Sequence, residues 1–496
     1  MAVVLSIDAG TTGVRAFAVD EHGTPIDVAY REFPQYFPQP GWVEHDATEI
    51  LDAVRVTLAE LVGRLDGTTI AAIGITNQRE TLVAWSRSTG KPLHRALVWQ
   101  DRRTADVCDA LRDAGHLDGV RAATGLVLDP YFTATKLGWL LSTGAVTASS
   151  DLAVGTVDSW ILWHLTGGVH ATDASNASRT LLCDIGLRAW SPELADTFGV
   201  GEAFGALPEI RPSSGRFGVT VDGMGVRAGI PVSGIAGDQQ AALFGQACFE
   251  PGMTKNTYGT GSFVLMNVGP SLPSPVDGLL TTVAWELASG EVAYALEGAI
   301  FVTGAAIQWL RDGLGLIEAA PEIGPLAASV DDTDGVFVVP AFTGLGSPWW
   351  DPYARGAIVG ITRGTKRAHI ARAVVESMAL STRDVVDAMC AASGRSVAAL
   401  RVDGGASVMD LLCQMQADQL QVPVDRPVVT ETTALGAAYL AGLAEGVWSN
   451  CDEIASQWAL EKSFAPSVPQ ELADLRLGQW HNAVERSRNW ATEPAD

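Results

Sequence analysis

Apolar positions near the start of the chain fall into two short runs, residues 3–7 and 14–19, on either side of Asp8-Ala9-Gly10-Thr11-Thr12-Gly13. Small and β-branched residues flanking a Gly-rich turn predict a β-hairpin, with glycine supplying the positive φ of the turn. Residues 24–29 predict a third strand, and a Pro-rich connection follows at 34–40. Asp46 is then placed to cap a helix in which Ile50, Leu51, Val54, Leu58, Leu61 and Leu65 recur at helical spacing. The run 70–75 predicts a fully buried strand that delivers Thr76-Asn77-Gln78-Arg79-Glu80 to its end, where α/β folds place ligand contacts. A short strand at 96–99, followed by Gln100-Asp101-Arg102-Arg103, leads to a helix through Leu111. Further helices are expected at 136–141 and 157–165.

The same grammar returns further along the chain. A Gly-rich loop, 221–229, precedes a strand at 230–235 that again empties into polar residues, Ala236-Gly237-Asp238-Gln239-Gln240. Then Asn256-Thr257-Tyr258-Gly259-Thr260-Gly261-Ser262-Phe263, followed by the apolar run 264–266, repeats the opening hairpin half a chain away. Two such hairpins predict a duplicated domain with ATP between the halves. The boundary is expected at 245–252, dividing the chain into 1–248 and 249–496. Beyond it, strands are predicted at 292–296, 336–339 and 400–402, a loop at 344–351, and helices at 301–310, 369–391, 408–420 and 433–444. The stretch after about Trp458 reads as helical.

Length and composition narrow the picture. At 496 residues, two large domains are the default, and a hydrophobic fraction of 47% makes them globular. A formal net charge of −24 argues against nucleic acid or an anionic membrane as partner, since phosphates would be repelled. Any phosphate site must therefore be built locally. The six cysteines show no CxxC pair and are expected as reduced thiols, and the eight histidines show no metal-ligand spacing. With no basic, cleavable leader and no apolar stretch long enough for a bilayer, a cytoplasmic protein without membrane insertion is expected.

The first hairpin has the chemistry for a triphosphate. Its backbone N–H groups, with Thr11, Thr12, Gly13 and Arg15, can cradle phosphate oxygens, and Asp8 at the strand end can hold a divalent cation bridging them. A third element is Asp403-Gly404-Gly405-Ala406-Ser407, where a Gly-Gly step between strand and helix lets a flat ring or a phosphate approach the backbone.

These segments, with Gly74-Ile75-Thr76-Asn77-Gln78-Arg79-Glu80-Thr81, Val98-Trp99-Gln100-Asp101-Arg102-Arg103-Thr104, Asp129-Pro130-Tyr131-Phe132 and the stretch 356–376, resemble the FGGY carbohydrate kinases over residues 1 to about 450. The resemblance implies an α/β fold of duplicated actin-like, ribonuclease-H-like domains with an interdomain active-site cleft. It implies ATP-dependent phosphorylation of glycerol to sn-glycerol 3-phosphate, with Mg2+, in a homo-oligomer such as a dimer or tetramer. By resemblance Arg79, Glu80, Trp99, Tyr131, Asp238 and Gln239 hold the polyol, and Thr11, Thr12, Arg15, Thr260, Gly304, Gln308 and Gly405 hold the nucleotide. Asp238 is the expected general base and, with Asp8, an expected metal ligand. Met409 departs from the family pattern, standing near the adenine where relatives commonly have asparagine; Ser407 or Asp410 is then the expected substitute. Relatives' phosphorelay histidine is absent from the segment before Ile230. Two alternatives stay open: a related kinase acting on another polyol or a ketose, and an actin-like or chaperone-like ATPase.

Overall fold

The computed structural model describes residues 2–65 and 67–491. Two mixed β-sheets organise the chain. The first runs, in spatial order, Ser214–Val219, Pro231–Gly237, Thr69–Asn77, Ala2–Ala9, Gly13–Val19 and Pro25–Glu32. The second runs Leu280–Glu286, Val292–Ile300, Ser262–Gly269, Thr254–Tyr258, Leu400–Asp403, Val424–Pro427 and Leu460–Phe464.

The duplication is written into the pairing. Ala2–Ala9 is antiparallel to Gly13–Val19, which is antiparallel to Pro25–Glu32. On its other side Ala2–Ala9 runs parallel to Thr69–Asn77, which runs parallel to Pro231–Gly237, with Ser214–Val219 antiparallel at the edge. Thr254–Tyr258 repeats every step: antiparallel to Ser262–Gly269 and then Val292–Ile300, parallel to Leu400–Asp403 and then Val424–Pro427, with Leu460–Phe464 antiparallel at the edge. Leu280–Glu286 is an added strand on the far side.

The hairpin glycines serve a purpose other than the expected one. None of Gly10, Gly13, Gly259 and Gly261 has positive φ. Instead a Cβ on Gly13 would lie 2.7 Å from the carbonyl oxygen of Arg31, and a Cβ on Gly261 would collide with that of Ile300. In each half the glycine that closes the hairpin is pressed against the third strand of its meander, so close approach rather than backbone handedness requires it.

Both faces of the first sheet are covered. Val3, Leu5 and Ile7 face a core shared with helices Ala47–Arg64 and Val157–Thr166, while Val4 faces the opposite side with Leu435 and Leu440. Asp46 caps Ala47–Arg64 as expected, its side chain accepting from the backbone N–H of Thr48. The opposite face is covered by helix Thr432–Ala444, which arrives from the far end of the chain. This helix lies unusually close: Cβ atoms on Gly74, Gly234, Gly245 and Gly436 would each collide with backbone, Gly74 with Ala437, Gly234 with Ala441, Gly245 with Thr432 and Gly436 with Ala241. The last two contacts pack it against helix Asp238–Gly245.

Several elements differ from the sequence reading. The strand expected at 96–99 spans only Ala96–Leu97, and the helix expected at 301–310 is an α-turn, Gly304–Gln308, followed by a π-turn, Trp309–Gly313. The helix expected from 408 begins as a 3-10 turn, Gly405–Val408, before Asp410–Leu420. After Trp458 the chain first makes the edge strand Leu460–Phe464 and only then the helix Gln470–Ser487, because Val424–Pro427 would otherwise be left with an unpaired edge. All six cysteines are free thiols. Among the described residues no helix is long and apolar enough to cross a membrane.

Forcing a methyl group between two helices packed backbone to backbone is costly. Gly436→Ala is expected to destabilise the protein by about 3 kcal/mol or more, read as a lowered thermal unfolding midpoint; an unchanged midpoint would show that this approach is not tight.

Candidate active site

The site is assembled by parallel strands that stop at the same level. Ala9 and Gly237 both pair with Asn77, so the ends of Ala2–Ala9, Thr69–Asn77 and Pro231–Gly237 bring Asp8, residues 78–80 and residues 238–240 to one edge of the sheet. Gln78 links two of these ends, its backbone N–H donating to Ala9 O at 2.8 Å and its side-chain amide to Gly10 O at 3.1 Å.

Directly after the strand the chain reverses sharply. The N–H of Thr81 donates to Arg79 O at 2.7 Å, and Glu80 between them adopts φ 60°, a left-handed conformation that a non-glycine residue holds only when its surroundings enforce it. The surroundings do so: Thr133 Oγ1 donates to Glu80 O at 3.0 Å, and Arg179 Nε donates to the Glu80 carboxylate at 2.7 Å. The reversal turns both Arg79 and Glu80 inward, where they are 2% and 1% exposed. They are therefore not a solvated surface pair.

Arg79 is the hub. Its Nε lies 3.1 Å from Asp238 Oδ1 and 3.8 Å from Glu80, its Nη1 and Nη2 lie 2.5 and 3.0 Å from the two oxygens of Glu297, and Nη2 donates to the Tyr131 hydroxyl at 3.4 Å. Asp238 keeps its side chain 30% exposed at the start of helix Asp238–Gly245, its own backbone N–H-side neighbour Gly237 occupying the cap position. Its partial burial raises the carboxyl pKa, and Arg79 and Lys255 oppose the rise. Trp99 and Tyr131 meet edge to face at 5.5 Å and form an aromatic wall, and the Trp99 indole N–H donates to Thr11 Oγ1 at 3.0 Å, tying that wall to the first hairpin. The side-chain oxygen of Gln239 accepts from Lys255 Nζ at 2.6 Å.

At the hairpin, Arg15 lies 3.5 Å from Asp8 and also pairs with Glu431, which precedes helix Thr432–Ala444. Burial raises the Asp8 carboxyl to about 7; Arg15 opposes this, and Asp238 and Glu431 add to it. A carboxylate pushed up by burial and by neighbouring carboxylates is a site where a hard divalent cation would relieve the charge, and Asp8 and Asp238 would be its carboxylate ligands. Among the described residues no three or more His, Cys, Asp or Glu side chains form a complete metal cage.

Thr260, Gly304, Gln308, Gly405 and Met409 belong to a second group on the second sheet. Thr260 is exposed at the hairpin tip, and its carbonyl accepts from the N–H groups of Thr303 and Ala305. Gly304 lies against the same turn, where a Cβ would stand 2.5 Å from Gly259 O; its absence of side chain thus has a packing cause. Gln308 is exposed, and Gly405 has open space where a Cβ would be. Neighbouring Gly404, at φ 82°, lies against the backbone of Tyr258, which joins the Gly-Gly step to the second hairpin. Met409 faces Gly324. Neither expected substitute beside it is free: Ser407 is buried and donates to Gly404 O at 2.7 Å, and Asp410 pairs with Lys462 at 2.6 Å and Arg426 at 3.0 Å. No hydrogen bond or ion pair among the described residues joins this group directly to Asp8 or Asp238; the two sheets meet beneath them, through Lys255 with Gln239 and Glu297 with Arg79.

Arg179, Lys255, Glu297 and Phe263, whose ring lies 5.6 Å from the Arg79 guanidinium, escaped the sequence reading. For Glu297 the available signal was a single charge inside an apolar strand; Lys255 is buried in a strand of otherwise polar residues, Thr254, Asn256 and Thr257, and stood out less. Arg179 carried no such mark.

Comparison with known proteins agrees with this arrangement. Residues 3–245 match the N-terminal domain, and residues 254–445 the C-terminal domain, of the FGGY family of carbohydrate kinases. The chain is 53% identical over 499 residues to a glycerol kinase of Aromatoleum aromaticum, and equally to glycerol kinase 2 of Thermotoga maritima, covering 99% of each chain in both cases. Among solved structures, Plasmodium falciparum glycerol kinase with ADP superposes with a TM-score of 0.90 at 33% identity, covering 98% of both chains. A gluconate kinase from Lactobacillus acidophilus, at 21% identity, TM-score 0.86 and 98% and 97% coverage, shares the fold. With both family domains matched in order across two sheets of like topology, the chain belongs to the FGGY family of carbohydrate kinases.

Proposed function

We propose that the protein transfers the terminal phosphoryl group of ATP to glycerol, giving sn-glycerol 3-phosphate and ADP. The observation that carries this reading is the convergence, at one sheet edge, of a carboxylate, an Arg-Glu pair and an aromatic wall beside a Gly-Thr hairpin. The names of the relatives, at about half identity over the full length, favour glycerol over a larger polyol or ketose. The buried Arg79-Glu80 step suits a small alcohol, since one side chain donates to hydroxyls and the other accepts from them. Neither an actin-like nor a chaperone-like ATPase needs such a pair.

Phosphoryl transfer is mostly positioning and charge stabilisation. Glu80 and Arg79 orient the alcohol against Trp99 and Tyr131. Asp238, partly exposed where those groups meet, accepts the proton of the attacking hydroxyl; a carboxylate suffices because the proton leaves late. Thr11, Thr12, Arg15 and the backbone of the first hairpin hold phosphate oxygens, and Thr260 approaches them from the second. A Mg2+ ion held by Asp8 and Asp238 would neutralise the charge that builds up on the transferred phosphate. Gly405, with open space over its backbone, and Met409 offer a flat, apolar seat for the base.

Asp238→Asn is expected to keep the thermal midpoint and ADP affinity while kcat falls about a hundredfold or more, measured as glycerol-dependent ADP formation in a coupled assay. Near-normal turnover would remove Asp238 from the proton transfer. Arg15→Ala is expected to raise KM for ATP about tenfold with little change in KM for glycerol; an unchanged KM for ATP would reject its phosphate contact. A panel of polyols and ketoses in the same assay decides the substrate, with glycerol expected to give the highest kcat/KM.

A further inference from the structure

Glu297 is a buried charge that none of the roles above uses. It lies in Val292–Ile300 of the second sheet, wholly buried, yet both its partners come from the first part of the chain. Its carboxylate takes Arg79 through Nη1 at 2.5 Å and Nη2 at 3.0 Å, and Arg179 through Nη2 at 3.0 Å. Burial alone would raise its pKa; Arg179 and Arg79 outweigh this and hold it at about 2, so the group stays ionised. Three cations, Arg79, Arg179 and Lys255, here face three carboxylates, Glu80, Glu297 and Asp238.

The geometry at Arg79 is selective. Its two-pronged Nη1/Nη2 edge is committed to Glu297, and only Nε approaches Asp238. A guanidinium with its fork free closes on the nearest carboxylate as a bidentate pair, and beside Arg79 that carboxylate is Asp238. We infer that Glu297 is a positioning residue for the phosphoryl transfer: by holding the fork of Arg79 from the second sheet, it keeps that fork off Asp238 and leaves the partly exposed Asp238 carboxylate open to the alcohol. Arg179 braces the arrangement, bonding Glu80 through Nε at 2.7 Å and Glu297 through Nη2, with its Nη1 unpartnered. The alcohol site thus depends on a residue of the opposite half of the molecule.

This role rests on the assignment of Arg79 and Asp238 to alcohol binding and proton transfer. It is tested with the full chain and its Glu297→Gln and Glu297→Asp variants, by glycerol-dependent ADP formation and by calorimetric binding of ADP in the absence of glycerol. In Glu297→Gln, KM for glycerol is expected to rise about tenfold or more and kcat to fall about tenfold or more, with ADP affinity within about twofold of the parent; Glu297→Asp is expected to lie between the two. A folded Glu297→Gln protein with unchanged KM for glycerol, or with equal losses in glycerol and ADP binding, overturns the inference. If Glu297→Gln does not fold, Glu297→Asp is judged by the same criteria. A parent protein that forms no ADP in response to glycerol overturns the assigned reaction itself, an outcome distinct from an active parent with an indifferent variant.

Discussion

A guanidinium cannot be buried without a carboxylate to meet it, and the base of the cleft is organised around that requirement. Arg79 is almost completely enclosed, and its counter-charge, Glu297, arrives from the other sheet. Breaking such a buried pair by removing one partner costs about 3–5 kcal/mol, because the other charge is left uncompensated. The two sheets are thereby joined where the alcohol is proposed to bind. Above this joint Asp238 and the hairpin tips remain open, so the molecule combines a tightly satisfied floor with an accessible mouth.

The second constraint is distance between backbones. Helix Thr432–Ala444 belongs by sequence to the second half but lies on the first sheet, against glycines of two strands and of helix Asp238–Gly245. Glu431, at its leading end, pairs with Arg15 on the first hairpin, and Thr432 donates to Asp403 at 2.7 Å beside the Gly-Gly step. This helix end therefore touches two of the three proposed nucleotide-holding segments, and the third, the second hairpin, is joined to the Gly-Gly step through Tyr258 and Gly404. Cleft geometry is set by how closely this helix packs, since interiors at native density do not deform gradually.

Much of this was legible in the chain. The hydrophobic runs and their Gly-rich interruptions located both hairpins, the buried strand before Asn77 and the strand before Asp238, because strand ends rich in polar residues stand out against apolar interiors. The resemblance of those segments to a known family supplied the roles that spacing alone left open. Illegible were the short strand Val424–Pro427 and the edge strand Leu460–Phe464 that pairs with it, which form by completing the pairing of a neighbour. The hairpin glycines were located for a reason that proved incorrect: turn geometry was expected to demand them, whereas contact with the third strand does. Ser407 and Asp410, expected to stand in beside Met409, are occupied by other partners.

By itself the sequence determined what depends on local pattern: which segments are strands or helices, that two hairpins repeat, and which polar residues sit at strand ends. Register then follows from alternation, since a slip by one residue would turn Val3, Leu5 and Ile7 away from their core. Only the tertiary structure decided which charge answers which. Arg79 and Glu297 stand 218 residues apart, and nothing in the local pattern around either one names its partner. Burial makes that pairing compulsory, but only the packing of one sheet against the other brings the two groups within reach.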